Sequence, residues 1–327
     1  MLAQHWLAHW LALSRAPNEK AELSPMVSPE YPRLSDKERR VELIYRRVGI
    51  GLVHVAALLA FLPYFFTWTG VACAVAGVFL IALPGINLDY HRLLAHKSVS
   101  CSKPLERLFV TLGLLNVQSG PGYWVALHRR HHLMTDRSGD PHSPRGGFMR
   151  AHMFFLFPID DDTDPVRLKP QHAEDVLADP YYAWLEKGQN WFLLPILSWP
   201  IYFLLGSSIP YFAGVPGHEA IRIGWSVLIW GVFVRTVISW HVTFSVNSFS
   251  HIWGFRSYDT PDNSRNNPIV GFLALGEGWH NNHHAFPGSA RHGLTWWQFD
   301  LTWMLIRGLA ALKLLTINNS GPAKPSS

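Results

Sequence analysis

Trp279-His280-Asn281-Asn282-His283-His284 carries the spacing H-x-x-H-H, and the same spacing stands 152 residues earlier in His128-Arg129-Arg130-His131-His132. With 18 histidines in the chain, random placement would give roughly 0.05 such patterns per sequence, so a repeated pair is a device and not an accident. A third cluster, His91-Arg92-Leu93-Leu94-Ala95-His96, sets two histidines five apart, and His251 follows Asn247-Ser248-Phe249-Ser250. On an α-helix the three imidazoles of H-x-x-H-H fall within about 100° of one another and share one side. His91 and His96 fall about 140° apart on the same reckoning, which requires either a helix end between them or ligands to two different ions. Imidazoles without thiolates suit iron, zinc, copper or nickel, and nine of them exceed the three or four that one catalytic ion takes. Two metals are the economical reading.

Outward from the histidines, the chain is apolar. Residues 48–66 and 70–88 each hold 19 positions without a formal charge. A third uncharged run covers 188–217, punctuated by Pro195, Pro200 and Pro210, and a fourth covers 223–250, interrupted only by Arg235. Each is long enough to cross a bilayer, so the expected fold is an all-α membrane protein of four transmembrane helices. Residues 1–46 read as an N-terminal interfacial and linker segment, 47–315 as the integral-membrane domain, and 316–327 as a short flexible tail.

The net charge of +5 does not mark a nucleic-acid surface, because Arg33, Lys37, Arg39, Arg40, Arg46 and Arg47 gather before the first span. The turn 67–69 and the segment 206–221 carry no Lys or Arg, so both termini and all the histidine clusters are expected on the cytoplasmic side. Residues 108–127 are also uncharged over 20 positions. Crossing there would put His91 and His128 on opposite sides, so a re-entrant or interfacial segment is expected, broken at Gly120-Pro121-Gly122. Arg235, alone in mid-span, is expected to face a polar interior with a partner such as His241. Residues 2–13, with His5 and His9, read as an interfacial helix, 16–32 as a loose linker, 160–164 as a solvated acidic loop, and 296–315 as an amphipathic closing helix. Two cysteines are too few for a disulfide framework, an iron–sulfur cluster or a thiolate zinc site.

Nine imidazoles at the end of an apolar bundle point to oxygen activation beside a lipophilic substrate rather than to hydrolysis. YHRLLAH, HRRHH with Asp140-Pro141-His142 after it, NSFSHIWG and GEGWHNNHHAFPGSARHG together resemble, in order and spacing, the membrane fatty-acid desaturases of the acyl-CoA (stearoyl-CoA, delta-9) type, over about residues 45–310. The resemblance implies a cytoplasmic helical cap on the four-helix bundle and two iron ions held there by His91, His96, His128, His131, His132, His251, His280, His283 and His284, with Asn247 reaching one ion through water. It also implies dioxygen as co-substrate, an acyl chain favoured as its coenzyme A thioester, a cis double bond at the ninth carbon, and electrons from a separate ferredoxin, rubredoxin or cytochrome b5-type donor.

Asp89 departs from that pattern, where a small residue is usual, and with Asp136, Asp140 and Glu277 is a candidate to orient a ligand histidine. Phe79 is a candidate to close the far end of the acyl tunnel. His54, His142, His152, His172, His218 and His292 read as structural or surface residues. The runner-up is a histidine-box hydroxylase of alkanes or fatty acids. A membrane metal transporter or sensor is a different class, disfavoured because its ligands would line a path at mid-membrane.

Overall fold

The computed structural model describes residues 33–160 and 163–322, so the expected interfacial helix at 2–13, the linker at 16–32 and Asp161-Asp162 of the acidic loop lie outside the described residues. The helices that position the site are α1 (Asp36–Leu58), α2 (Trp68–Ala95), α3 (Lys103–Leu114), α4 (Pro121–Met134), α5 (Leu193–Phe212), α6 (Gly217–Ile252), α7 (Pro268–Leu273), α8 (His280–Ala285) and α9 (Leu301–Ala311). The four expected spans are found as the helices α1, α2, α5 and α6, long and apolar enough to cross a membrane. Phe61, Leu80, Leu197 and Phe212 stand exposed along them, as side chains facing lipid must.

Local chemistry sets the helix ends. Ser35 and Glu38 form a reciprocal capping box at the start of α1. Thr67 accepts the Gly70 N–H at 3.0 Å and opens α2 after the tight uncharged turn. From Val78 onward α2 widens to π-type turns around Pro84, whose missing N–H breaks the ordinary ladder. At its end the His96 N–H donates to the His91 carbonyl at 3.1 Å, an i to i+5 bond. That wide turn brings His91 and His96 to one side. The 140° separation therefore reflects a changed winding, not two destinations.

The uncharged run 108–127 does not form one helix long enough to span. α3 ends, the chain bends through Val117 (φ 53°) and Ser119 (φ 80°), and α4 starts at Pro121. Buried backbone in a bend needs partners, and α6 supplies them. Arg235 donates from Nη2 to the Leu115 carbonyl at 2.7 Å and from Nη1 to Asn116 Oδ1 at 3.0 Å, while Trp240 Nε1 donates to the Asn116 carbonyl at 2.8 Å. Arg235 thus pairs with the bend and not with His241, which lies about 240° around the helix from it. His241 belongs to a separate chain of rings, with nitrogens 3.2 Å from His54 and 2.9 Å from His152.

Beneath the histidines the core joins α2, α3, α4 and α9 through Leu88, Tyr90, Val110, Leu114, Val125 and Ile306. The expected closing helix is α9, too short to span. After it, Leu315–Ile317 pairs antiparallel with Val99–Cys101, so the start of the segment expected as a flexible tail at 316–327 is held at the exit of the first histidine cluster, and 323–327 lie outside the described residues.

Candidate metal centre

The two H-x-x-H-H stretches lie on α4 and α8, and each divides its histidines between two pockets. His128 and His132, four apart, stack on one face of α4, whereas His131 points about 100° away from His132. α8 does the same in the opposite sense. Pocket one gathers His91, His96, His128, His132 and His283, and pocket two gathers His131, His251, His280 and His284, the candidate ligand atoms in each lying within 4.8 Å of one another. The central histidine of each stretch therefore joins the outer pair of the other. In pocket one, Nε2 atoms approach at 2.7 Å (His96 and His128), 2.9 Å (His132 and His283) and 3.2 Å (His91 and His283). In pocket two, His280 Nε2 lies 3.0 Å from both His251 Nε2 and His284 Nε2. The rings of His132 and His284 are 4.6 Å apart, so the pockets adjoin.

Carboxylates fix which nitrogen faces inward. The Nδ1–H of His131 donates to Asp140 at 2.9 Å, that of His284 to Asp262 at 2.9 Å, and that of His251 to Asp136 at 3.2 Å. Each bond commits a proton to Nδ1 and leaves the Nε2 lone pair for the pocket. In pocket one, Glu277 Oε2 sits 2.6 Å from His91 Nδ1, and its other oxygen accepts from Arg92 Nη2 at 2.9 Å. Arg92 is fully buried and also bonds Asp300 at 2.9 Å and the Ala290 carbonyl at 2.7 Å.

Burial would raise Glu277, but Arg92, His91 and His292 hold it well below the usual carboxylate range. Burial, reinforced by the neighbouring imidazoles, pushes His96, His128, His132, His280 and His283 well below the ordinary histidine range, so they stand neutral. Neutral lone pairs facing one another repel unless a cation lies between them. His131 Nε2 is buried without a partner among the described residues, and the donor set is all nitrogen. These residues fit a pair of borderline metal ions such as iron or zinc.

A narrow cleft of about 30 Å³ lies between α2 (Val78, Ala82, Ile86) and α6 (Ile238, Val242, Thr243), under Leu273–Leu275 at the end of α7. Asn87 and Thr243, at its upper end, stand four residues before His91 and Asn247 respectively.

Residues 66–319 match the family model described as fatty acid desaturase. The chain belongs to the fatty acid desaturase family. It is 40% identical over 263 residues to an sn-1 stearoyl-lipid 9-desaturase of Synechocystis, covering 80% of this chain and 76% of that one. With an sn-1 stearoyl-lipid 9-desaturase of Anabaena variabilis it shares 41% over 267 residues, covering 82% and 90%. With an acyl-CoA 5-desaturase of Anemone leveillei it shares 38% over 278 residues, covering 84% and 78%. The desaturase is thus an oxidoreductase of fatty acyl chains, and its helical fold, membrane helices and histidine clusters are those expected.

Within this desaturase, the nine expected histidines all converge on the pockets. Asn247 is partly buried one turn before His251. Glu277, Asp136 and Asp140 take the orienting positions anticipated for them. Asp89 does not: it is fully buried and neither oxygen has a hydrogen-bond partner among the described residues. It sits two residues before His91 on α2, too far round the helix to reach the same imidazole. Phe79 is exposed and outside the cleft lining, which takes Val78 and Ala82 instead.

His292 and His142, set apart as structural, belong to the site's edge. His292 Nδ1 is 3.2 Å from Glu277 and its ring 4.4 Å from that of His283, while the His142 ring lies 4.2 Å from that of His131. Sequence reasoning missed Asp262 and Arg92. Asp262 lies in a polar loop far from any histidine stretch, whereas Arg92 had a signal, an arginine beside a ligand candidate at the end of an apolar run.

Proposed function

We propose that this desaturase uses two iron ions and dioxygen to convert a saturated acyl chain into the cis mono-unsaturated chain, with the new double bond at the ninth carbon. The ligands are the nine histidines His91, His96, His128, His131, His132, His251, His280, His283 and His284, with Asn247 joining through water. The observation that carries this reading is the set of inward Nε2 atoms, braced on the outside by carboxylates, at the end of an apolar cleft between two spans. The balance is one chain, one dioxygen, two electrons and two protons giving the alkene and two waters. Two irons held in the pockets supply the redox capacity for that reaction.

The protein's own residues hold, orient and exclude. The apolar walls of α2 and α6 keep water from the chain, and the buried carboxylates keep the imidazoles in one tautomer. The relatives whose names specify stearoyl-lipid favour a glycerolipid-bound chain over the coenzyme A thioester first expected. The histidine end faces the cytoplasm in this proposal, where a separate ferredoxin, rubredoxin or cytochrome b5-type protein delivers electrons.

The test is gas chromatography and mass spectrometry of lipids from a desaturase-deficient host carrying an electron donor and either the wild type or His131→Ala. Mono-unsaturated chains with the wild type alone are expected, with iron near two per chain in the wild type. Hydroxylated chains, or equal product from His131→Ala, would overturn the reading.

A further inference from the structure

Outside the spans, α7 and the segment before α9 present an apolar surface that the bundle does not cover. Ile269, Phe272 and Leu273 are 72%, 66% and 53% exposed, and Trp296 is 95% exposed. Trp297 and Phe299 join them, with the rings of Phe272 and Phe299 5.9 Å apart. The opposite face of α7 is packed: Val270 and Ala274 pack against Val246, with Val242 and Phe249 beside them, on the last turns of α6. The exposed face therefore stands beside the end of a span and continues its lipid-facing surface. Aromatic residues at that level are what membrane interfaces select.

The same element roofs the cleft. Leu273, Ala274 and Leu275 line it together with Ile238, itself exposed on α6. Asn87 Nδ2 donates to the Ala274 carbonyl at 3.0 Å and the Thr302 N–H donates to the Leu275 carbonyl at 3.1 Å, fixing the roof to α2 and α9. A Cβ on Gly278 would collide with the Gly271 backbone nitrogen, and the Asn267 N–H donates to the Gly278 carbonyl at 2.9 Å. So α7 is stacked directly on the backbone that leads into His280. The lip is a rigid part of the metal-holding frame, not a flap.

We propose that α7, with Trp296, Trp297 and Phe299, is an interfacial lip seated in the bilayer, and that the cleft opens sideways beneath it between α2 and α6. An acyl chain still esterified to a membrane glycerolipid enters there from the surrounding leaflet, its headgroup staying at the interface. This rests on the desaturase reading above, with its glycerolipid-bound chain, and adds the route.

Two measurements test it. Spin labels at Ile269→Cys and Phe272→Cys, with Cys73→Ser and Cys101→Ser, in the full chain in phosphatidylcholine and phosphatidylglycerol vesicles, report immersion by collision with oxygen against a water-soluble nickel chelate. Oxygen collisions exceeding nickel at both sites are expected, and the reverse overturns the lip whatever the enzyme does. In the desaturase-deficient host, Leu273→Trp and Ile238→Trp, on opposite sides of the opening, are expected to lower mono-unsaturated lipid at least ten-fold. Iron content and thermal midpoint should stay at wild-type values. Full product from both variants, or pulse label reaching unsaturated acyl-CoA before unsaturated glycerolipid, overturns lateral entry. No product from the wild type would overturn the desaturase reading instead, and the spin-label result would still decide the lip.

Discussion

The two histidine pockets share their helices yet differ in what stands behind the imidazoles. Pocket two is braced by three separate carboxylates, Asp140, Asp136 and Asp262, each bonded to its own histidine. Pocket one has five histidines and a single carboxylate, Glu277, whose charge is shared with the buried Arg92. More unneutralised negative charge behind the ligands makes pocket two the stronger electron donor and the tighter holder of a cation. Pocket one depends on one buried ionic cluster, so its failure is all-or-none, whereas pocket two loses its bracing in steps.

The largest effect follows from removing the shared cation. Arg92→Ala leaves Glu277 and Asp300 buried beside each other without their guanidinium, a cost of about 3–5 kcal/mol for breaking a buried pair. Little folded protein is expected, and what survives detergent extraction should melt well below the wild type and carry iron in pocket two alone. A wild-type melt and full iron content would show that Arg92 is not the hub of pocket one.

Asp262→Asn is next. The amide keeps the shape but loses the charge behind His284, and outer partners of this kind are worth about 10–100-fold in metal affinity. Chelator titration should release one of two irons earlier than in the wild type while the melt of the apoprotein stays nearly unchanged. Loss of both irons together would mean that the pockets are one energetic unit, and the comparison would fail.

A smaller effect is set by pH. His172 ends the short helix Pro165–His172, its carbonyl accepting from Arg129 Nη1 of α4 at 2.9 Å, and burial with Arg130 and Arg129 lowers its imidazole to about 4. As pH falls from 6.5, the unfolded chain takes up that proton before the folded one does, so the folded state loses stability down to about pH 4 and no further from this group. Melting curves of the apoprotein should fall across that window, and His172→Gln should flatten the fall. An identical pH profile in the variant would remove His172 from the account.

How far the sequence reached depended on whether a feature was local or spatial. The spans were legible because uncharged runs of 19 residues have few other uses. Helical spacing brought the imidazoles of each H-x-x-H-H to one side of its helix, but the expectation of a single shared side missed that His131 and His283 each leave their neighbours for the other pocket. That division between two pockets is set by the helix placed opposite, which the spacing of one stretch does not reveal. The π-type winding of α2 was not legible, since it arises from Pro84 and tertiary packing together, and it misled the reading of His91 and His96. Partners from distant loops were hidden for the same reason. Arg235 found Asn116 across 119 residues, and Asp262 found His284 from a loop whose only sequence mark is polarity.

Asp89 shows the opposite error, a carboxylate near a ligand in sequence that is not near it in function. It is buried with both oxygens unpartnered among the described residues, whereas Asp136, Asp140 and Asp262 each meet a ring nitrogen. Burying an unpaired carboxylate is costlier than burying an amide of the same shape. Asp89→Asn should therefore leave the iron content at the wild-type value and shift the thermal midpoint upward or not at all, a contrast with the iron loss expected of Asp262→Asn. Iron loss in Asp89→Asn comparable to that in Asp262→Asn would mean that Asp89 acts on pocket one through the turn of α2 that carries His91. Pocket one would then have a second carboxylate behind it, and the asymmetry between the pockets would shrink to one of distance rather than of number.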